Sequence, residues 1–342
     1  VAADHDQASG SLAAAAADPA SDVLSDVLQA VRLTGALFFV VDAAAPWIAE
    51  APESSVLGPV ILPGAQLVVS YHVITQGSCW CHLEGQEPTL IESGDAIVIP
   101  HGDAYALSST PDATLGTAPD QLLLWFQQMA SGELPFVVEE GGCGPDRLQV
   151  ICGFLGCDAL PFNPVLAALP RLLHLTRPAP ARDDRLSALV EFAVGEARTK
   201  RPGSRTVLLR IAELLFVEVV RRHLSATTHS EIGWLAGLTD PYVGRALAHM
   251  HNQPARPWTL DDLAREAAVS RSVLTERFTH LVGEPPMHYL AKWRMQRAAR
   301  LLTDRSAKVS AVAREVGYDS EAAFSRAFKK LTGVAPAAWR NR

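Results

Sequence analysis

The chain has 342 residues, room for two or three domains, with 30 lysines and arginines against 37 aspartates and glutamates, a net charge of −7 that taken alone argues against a nucleic-acid binder. Its five cysteines, an odd number without pairing spacings, do not suggest a disulfide scaffold. Residues 1–20 are rich in Ala, Asp and Ser, and the run 13–17 is too short and too weakly apolar for a signal peptide or a membrane span. They read as a disordered tail, and the protein as cytoplasmic with no membrane partner.

Residues 34–155 read as short strands between turns, at 36–41, 56–62, 67–75, 79–83, 89–91, 96–99, 105–107, 122–128, 136–139 and 146–153. Such spacing predicts a β-sandwich or barrel. Strand alternation places His72 on one face of its strand, and puts Cys79 and Cys81 together on one face of the next. These three are the effector or redox candidates of this region: a soft metal site or a thiol sensor if they converge, ordinary packing of small thiols and a hydrogen-bonded histidine if they do not.

Residues 163–253 carry helical periodicity at 164–175, 185–197, 204–224 and 241–251. The third segment is apolar on more than one face, one stripe suited to the barrel and another to a second copy, so a homodimer is expected. Residues 254–257 read as the linker that follows.

The C-terminal part contains a weak internal repeat, 260–289 against 309–339, offset by 49 residues and then 50. Ala264-Arg265-Glu266 recurs as Ala313-Arg314-Glu315, Ser270 as Ser320, Phe278 as Phe328, and Pro286 as Pro336. In the first copy Leu260, Leu263, Ala264 and Ala267 line one helix face. A turn follows, Ser270 caps the next helix, and Gly283 ends it. The predicted buried side of that second helix is Val273, Leu274, the stem of Arg277, Phe278 and Leu281, leaving Arg271, Ser272, Thr275 and Glu276 outside. The second copy buries Ala323, Phe324, Ala327, Phe328 and Leu331 and exposes Glu321, Ala322, Ser325, Arg326, Lys329 and Lys330. Each copy is a helix-turn-helix, at 259–283 and 308–333, joined by one helix over 286–302.

Charge distribution reverses the inference from net charge. Residues 251–342 hold 16 basic and 9 acidic residues, a net +7, which leaves −14 on residues 1–250. A basic module on an acidic body is the footprint of phosphate binding by the module alone. The predicted base-reading residues are Ser272, Thr275, Glu276, Glu321, Ala322, Ser325 and Arg326, with Glu276 able to accept from cytosine N4. Arg271, Lys329 and Lys330 are the predicted phosphate contacts.

The order Tyr289-Leu290, Arg294-Met295, Ala298 and Leu301-Leu302, then Val316-Gly317-Tyr318, Ser320, Phe324, Phe328-Lys329-Lys330, Gly333, Pro336 and Trp339-Arg340, resembles the DNA-binding domain of the AraC/XylS family of bacterial transcription regulators. Upstream, a strand ending at Gly77, a hairpin, Gly94-Asp95, an apolar strand and Pro100-His101-Gly102 are similar to a cupin. Asp26, Arg32 and Gly35, with Ala45-Pro46-Trp47, His72-Val73 and Ser78-Cys79-Trp80, resemble the cupin subgroup fused to that DNA-binding domain.

The resemblance implies a multidomain α+β protein: a tail over 1–20, a cupin β-barrel sensor over 21–160, a helical connector over 161–253 and an all-α domain with two helix-turn-helix modules over 254–342. It also implies double-stranded DNA, RNA polymerase and a small-molecule or redox effector as partners. Where cupin enzymes carry metal ligands, this chain has Gly64, Gln66, Ser70 and Tyr105, which cannot supply the imidazoles and carboxylate required. The expected cofactor is therefore none, unless His72, Cys79 and Cys81 hold a metal. A metal-dependent cupin enzyme tethered to DNA is the alternative that this ligand set disfavours, and an architectural DNA binder is a second.

Overall fold

In a computed structural model, the described residues are 22–30, 32–113, 116, 118–158, 162–177, 185–199, 201–226 and 233–340. The expected tail over 1–20 lies outside them. Chain order runs α1 (Val23–Ala30), β1 (Arg32–Ala44), β2 (Ile48–Ala51), α2 (Ser54–Ile61), β3 (Leu67–Gln76), β4 (Ser78–Leu83), β5 (Thr89–Glu92), β6 (Ala96–Ile99), β7 (Tyr105–Ser108), α3 (Pro119–Ser131), β8 (Val137–Gly141) and β9 (Arg147–Asp158). Then come α4 (Pro164–Ala168), β10 (Leu173–Leu175), α5 (Arg185–Thr199), α6 (Ser204–Ala226), α7 (Trp234–Thr239) and α8 (Val243–Asn252). The repeat region forms α9 (Leu260–Glu266), α10 (Arg271–Val282), α11 (Pro286–Leu301), α12 (Val309–Glu315), α13 (Glu321–Thr332) and α14 (Pro336–Trp339).

The strands form a six-stranded sheet, order β10-β6-β3-β9-β1-β8, and a four-stranded sheet, order β2-β7-β4-β5. β3 reads as a near-continuous apolar run because both its faces are covered. Its even positions, Val68, Ser70, His72 and Ile74, face the core that also holds Cys79, Cys81, Ile91 and Leu107 of the smaller sheet. Its odd positions, Val69, Tyr71 and Val73, face a second core built with the helices. The Tyr71 ring covers Gly153, its partner on β9: a Cβ there would sit 1.9 Å from Tyr71 Cζ, so only glycine admits the ring.

Three expected elements differ. Residues 56–62 and 122–128, read as strands, belong to α2 and α3, where Leu57 and Ile61, and Phe126 and Met129, bury one helical side. Short apolar runs fit either period, and the packing partner decides. The helix expected over 164–175 stops at α4, because Pro170 forces Leu169 into extended backbone, and the chain resumes as the edge strand β10. Among the described residues no helix is long and apolar enough to cross a membrane.

The helix-facing core does not end at the sheet. It runs without a break from Val69 and Tyr71 through Leu215, Phe216 and Leu247 to Leu263, Phe278, Tyr289 and Trp293 of the first helix-turn-helix. The second module has a small core of its own around Val312, Phe324, Phe328 and Trp339.

Candidate nucleic-acid interface

Local chemistry builds both modules. Thr259 accepts a hydrogen bond from the Asp262 amide at 3.1 Å while the Asp262 carboxylate accepts from the Thr259 amide at 3.2 Å, a capping box that starts α9. Ser270 caps α10 by accepting from the Val273 amide at 3.3 Å, and Ser320 caps α13 by accepting from Ala323 at 3.2 Å. Gly283 and Gly333 end these helices in left-handed backbone. Ser270, Ser320 and Gly283 sit in the capping positions that the sequence predicted for them, and Gly333, the repeat partner of Gly283, takes the same one.

The turns differ between the copies. Ala268 has φ of 58°, the only non-glycine residue with positive φ among those described, whereas its repeat equivalent Gly317 has φ of 83°. Left-handed backbone costs an L-residue about 1–2 kcal/mol, partly offset by the entropy glycine would lose on folding. Ala268→Gly is therefore expected to stabilise the protein by about 0.5–1 kcal/mol. Gly317→Ala is expected to cost roughly 2 kcal/mol or more, since its Cβ would lie 2.7 Å from Ala255 O. Equal effects of opposite exchanges in a denaturant titration would contradict this reading.

The predicted readers of the second module are well placed. Glu321, Ala322, Arg326, Lys329 and Lys330 are exposed on α13 and Ser325 is half-buried. Arg326, Lys329 and Lys330 make no ion pair among the described residues. On α10, Ser272 and Glu276 are exposed, while half-buried Thr275 donates its hydroxyl to Arg271 O at 2.8 Å. Arg271 is exposed but lies 3.3 Å from Asp261.

Two side chains expected inside the first module are outside. Val273 is 40% exposed, and Arg277 reaches away from the module to pair with Asp240 beside the Tyr242 ring. The buried stripe of α10 is narrower than its apolar residues suggest, because only Leu274 and Phe278 are fully buried. Asp240 was missed as a site-shaping residue. It ends α7 and, just before α8, accepts from the Tyr242 and Val243 amides at 2.9 Å, while its other oxygen holds Arg277. The charge-balancing partner came from the connector, 37 residues upstream, which local spacing does not reveal.

Sixteen residues long, α11 spans about 24 Å and is clamped along its length. Gln296 Oε1 accepts from the Phe162 amide at 3.0 Å, and the Lys292 ammonium lies 4.1 Å from the centroid of the Phe162 ring. Arg294 donates to Pro254 O at 2.7 Å and Arg256 O at 2.8 Å, so the expected linker 254–257 is held against α11 and, through Ala255, against the Gly317 turn. Trp234 Nε1 donates to the Tyr289 hydroxyl at 2.9 Å, which lies 2.8 Å from His251 Nε2. His251 is stacked on Trp293 with ring centroids 4.0 Å apart.

Burial lowers His251 to a pKa of about 3, and burial alone does the same to His72. Unfolded histidine takes a proton near pH 6.5, so the unfolded state binds more protons between the two values. The contribution of each neutral histidine is thus complete above pH 6.5 and is lost as pH falls toward 3, by up to ~1.4 kcal/mol per pH unit each. Unfolding midpoints between pH 7.5 and 5 should fall less steeply in His72→Gln than in the parent, and identical slopes would rule the assignment out.

His72, the candidate in the N-terminal sheets, has Nδ1 3.1 Å from Cys152 Sγ and Nε2 2.6 Å from the Tyr105 hydroxyl. Cys79 and Cys81 are buried in the same core, yet neither is a hydrogen-bond partner of this imidazole. Burial pushes both thiols up to about 12, the opposite of the lowered value a reactive thiolate requires. Among the described residues no group of three or more His, Cys, Asp and Glu side chains is placed to hold a metal. His72 is thus held by Cys152 and Tyr105 rather than by Cys79 or Cys81, and both nitrogens of the histidine are engaged within the core. At the usual cupin ligand positions, Ser70 and Tyr105 are buried and Gly64 lies in a left-handed turn, so the residues present do not fit a metal there.

A two-sheet body joined to two helix-turn-helix modules, the second presenting cations that are unpaired among the described residues, defines a DNA-binding transcription regulator. A cupin family model matches residues 22–225, extending past the sheets to take in α5 and α6, and a helix-turn-helix domain model matches residues 263–342. An AraC-like transcription regulator of Streptomyces lividans is 36% identical over 279 residues, covering 81% of this chain and 88% of that protein. A second AraC-like regulator, from Streptomyces antibioticus, is 31% identical over 93% of this chain and 98% of its own length. The HTH-type transcriptional regulator AlkR of Acinetobacter baylyi is 29% identical over 81% of this chain and 89% of its own. The chain belongs to the AraC-type family of transcription regulators, with an N-terminal cupin domain and a C-terminal helix-turn-helix domain.

Proposed function

We propose that this regulator places α10 and α13 in two successive major-groove segments on one face of DNA, and that its cupin half adjusts this binding in response to an effector. The observation that carries the reading is the pair of capped helices with exposed polar faces, held apart by the clamped 16-residue α11. Arg326, Ser325, Ala322 and Glu321 read bases from α13, and Ser272, Thr275 and Glu276 from α10. Lys329, Lys330 and Arg271 contact phosphates. RNA polymerase and a second copy of the chain complete the proposed partners.

The two recognition helices are unequal. Arg271 must surrender its contact with Asp261 to reach a phosphate, whereas the cations of α13 give up none among the described residues. The second module therefore supplies more of the electrostatic affinity. Hydroxyl-radical footprinting of the full chain on a site selected from random DNA tests the arrangement. Two protected segments per subunit on one face, about 34 Å apart, are expected. Protection of a single segment per subunit would refute it.

A further inference from the structure

The two copies of the repeat differ in charge. Residues 259–283 hold three basic and four acidic residues, whereas residues 308–333 hold five basic and three acidic. Part of the difference lies on α13, in Arg326, Lys329 and Lys330. The rest gathers around the loop that leads into α12.

At three places the second copy carries a cation that the first lacks or has already engaged. Arg256, the equivalent of Arg305 at the 49-residue offset, has its guanidinium 3.9 Å from the centroid of the Trp258 ring and 3.6 Å from Glu266. Arg305 itself is exposed and forms no ion pair among the described residues. Thr259 opens α9 and is followed by Asp261 and Asp262, while its equivalent Lys308, exposed and likewise unpaired among the described residues, opens α12 and is followed by Ser310 and Ala311. Leu290 is buried in the first copy, and Arg340 stands 50 residues later in the second. Arg340 donates to Ala307 O at 2.9 Å, which brings its guanidinium against the same loop. The acidic residue of that loop, Asp304, turns its carboxylate onto Ser306, accepting from the amide at 2.8 Å and from the hydroxyl at 2.7 Å.

Three like charges around one short loop repel one another, and among the described residues no carboxylate pairs with any of them. A row of phosphodiesters would balance them. In a helix-turn-helix the second helix enters the groove while the first crosses the sugar-phosphate backbone, and this loop leads directly into the first helix of its module.

We propose that Arg305, Lys308 and Arg340 form a second phosphate-binding site of the DNA-binding domain, separate from Lys329 and Lys330 at the far end of α13. It rests on the DNA-binding reading above and adds to it a grip on the backbone beside α12 that the first module cannot make, since Asp261 and Asp262 stand at the matching place. Phosphates carry no sequence information, so this site holds the second module to any DNA alike.

Salt titrations of the full chain on selected and random DNA test the site. Arg305→Ala with Lys308→Ala should reduce the slope of log affinity against log salt by ~1.8, equally on both DNAs, and leave the melting temperature unchanged or higher. Arg305→Lys with Lys308→Arg, which keeps both charges, should retain the parent slope. Arg340→Gln should lower the slope by a further ~0.9; if that variant does not fold, the exposed pair still decides. Methylphosphonates placed singly along a selected site locate the contacts. The phosphates whose neutralisation weakens the parent but not the Arg305→Ala, Lys308→Ala protein should differ from those that fall silent in Lys329→Ala with Lys330→Ala. An unchanged slope in the first pair, a loss confined to selected DNA, or the same phosphates silenced by both pairs would each overturn the proposal. The second pair separates this failure from that of the regulator reading. A slope lowered only in Lys329→Ala with Lys330→Ala removes the second site and keeps the reading, whereas slopes lowered in neither pair remove both.

Discussion

Arg326→Ala is expected to cost roughly 1–3 kcal/mol of binding to a selected site and to relax base preference at one position, as loss of a bidentate base contact does. Lys329→Ala with Lys330→Ala should behave differently, weakening selected and random DNA alike. Together they should reduce the slope of log affinity against log salt by ~1.8, since each lost phosphate contact contributes ~0.9. The distinction follows from position on α13. Arg326 lies in the middle of the helix, where a side chain enters the groove, while Lys329 and Lys330 occupy its last turn. Removing all three should abolish detectable selection at physiological salt without unfolding the module, because all are exposed and none is paired among the described residues. Equal losses on selected and random DNA for Arg326→Ala would reduce it to a phosphate contact. Arg271→Ala, whose side chain is already engaged with Asp261, should have a smaller effect.

Phe328→Ala is expected to unfold the second module while leaving the first in place. Phe328 is fully buried, edge-on to Trp339 at 5.6 Å between centroids and 5.5 Å from Phe324. Truncating a buried phenylalanine costs about 3–5 kcal/mol, and the core around it is small and separate. Its repeat equivalent, Phe278, is equally buried but belongs to the continuous core reaching back to the sheet. Phe278→Ala should therefore lower the stability of the body and first module together. Hydrogen exchange by mass spectrometry distinguishes the cases. In Phe328→Ala, loss of protection should be confined to roughly α12 to α14. Loss spreading through α9 and α10 would mean that α11 couples the two cores more tightly than their separation suggests.

The features legible in the sequence were those enforced over a few residues. Ser270 and Ser320 announce helix starts, Gly283 and Gly333 announce helix ends, and the stripes through Phe278 and Phe328 repeat at helical spacing, because capping and periodicity are local physics. The duplicated module, the basic end on an acidic body and the β-rich N-terminal half followed from residues alone. Wherever a segment's partner lay far along the chain, tertiary structure decided. The run around Leu57 became a helix rather than a strand because of the surface it packs on. Arg277 turned outward because Asp240 was waiting beside α8. His72 found Tyr105 and Cys152, 33 and 80 residues away, where alternation had paired it with Cys79 and Cys81. The joining of the first module to the cupin domain in one core, and the exclusion of the second from it, arise from side chains brought together by chain paths that no local pattern encodes.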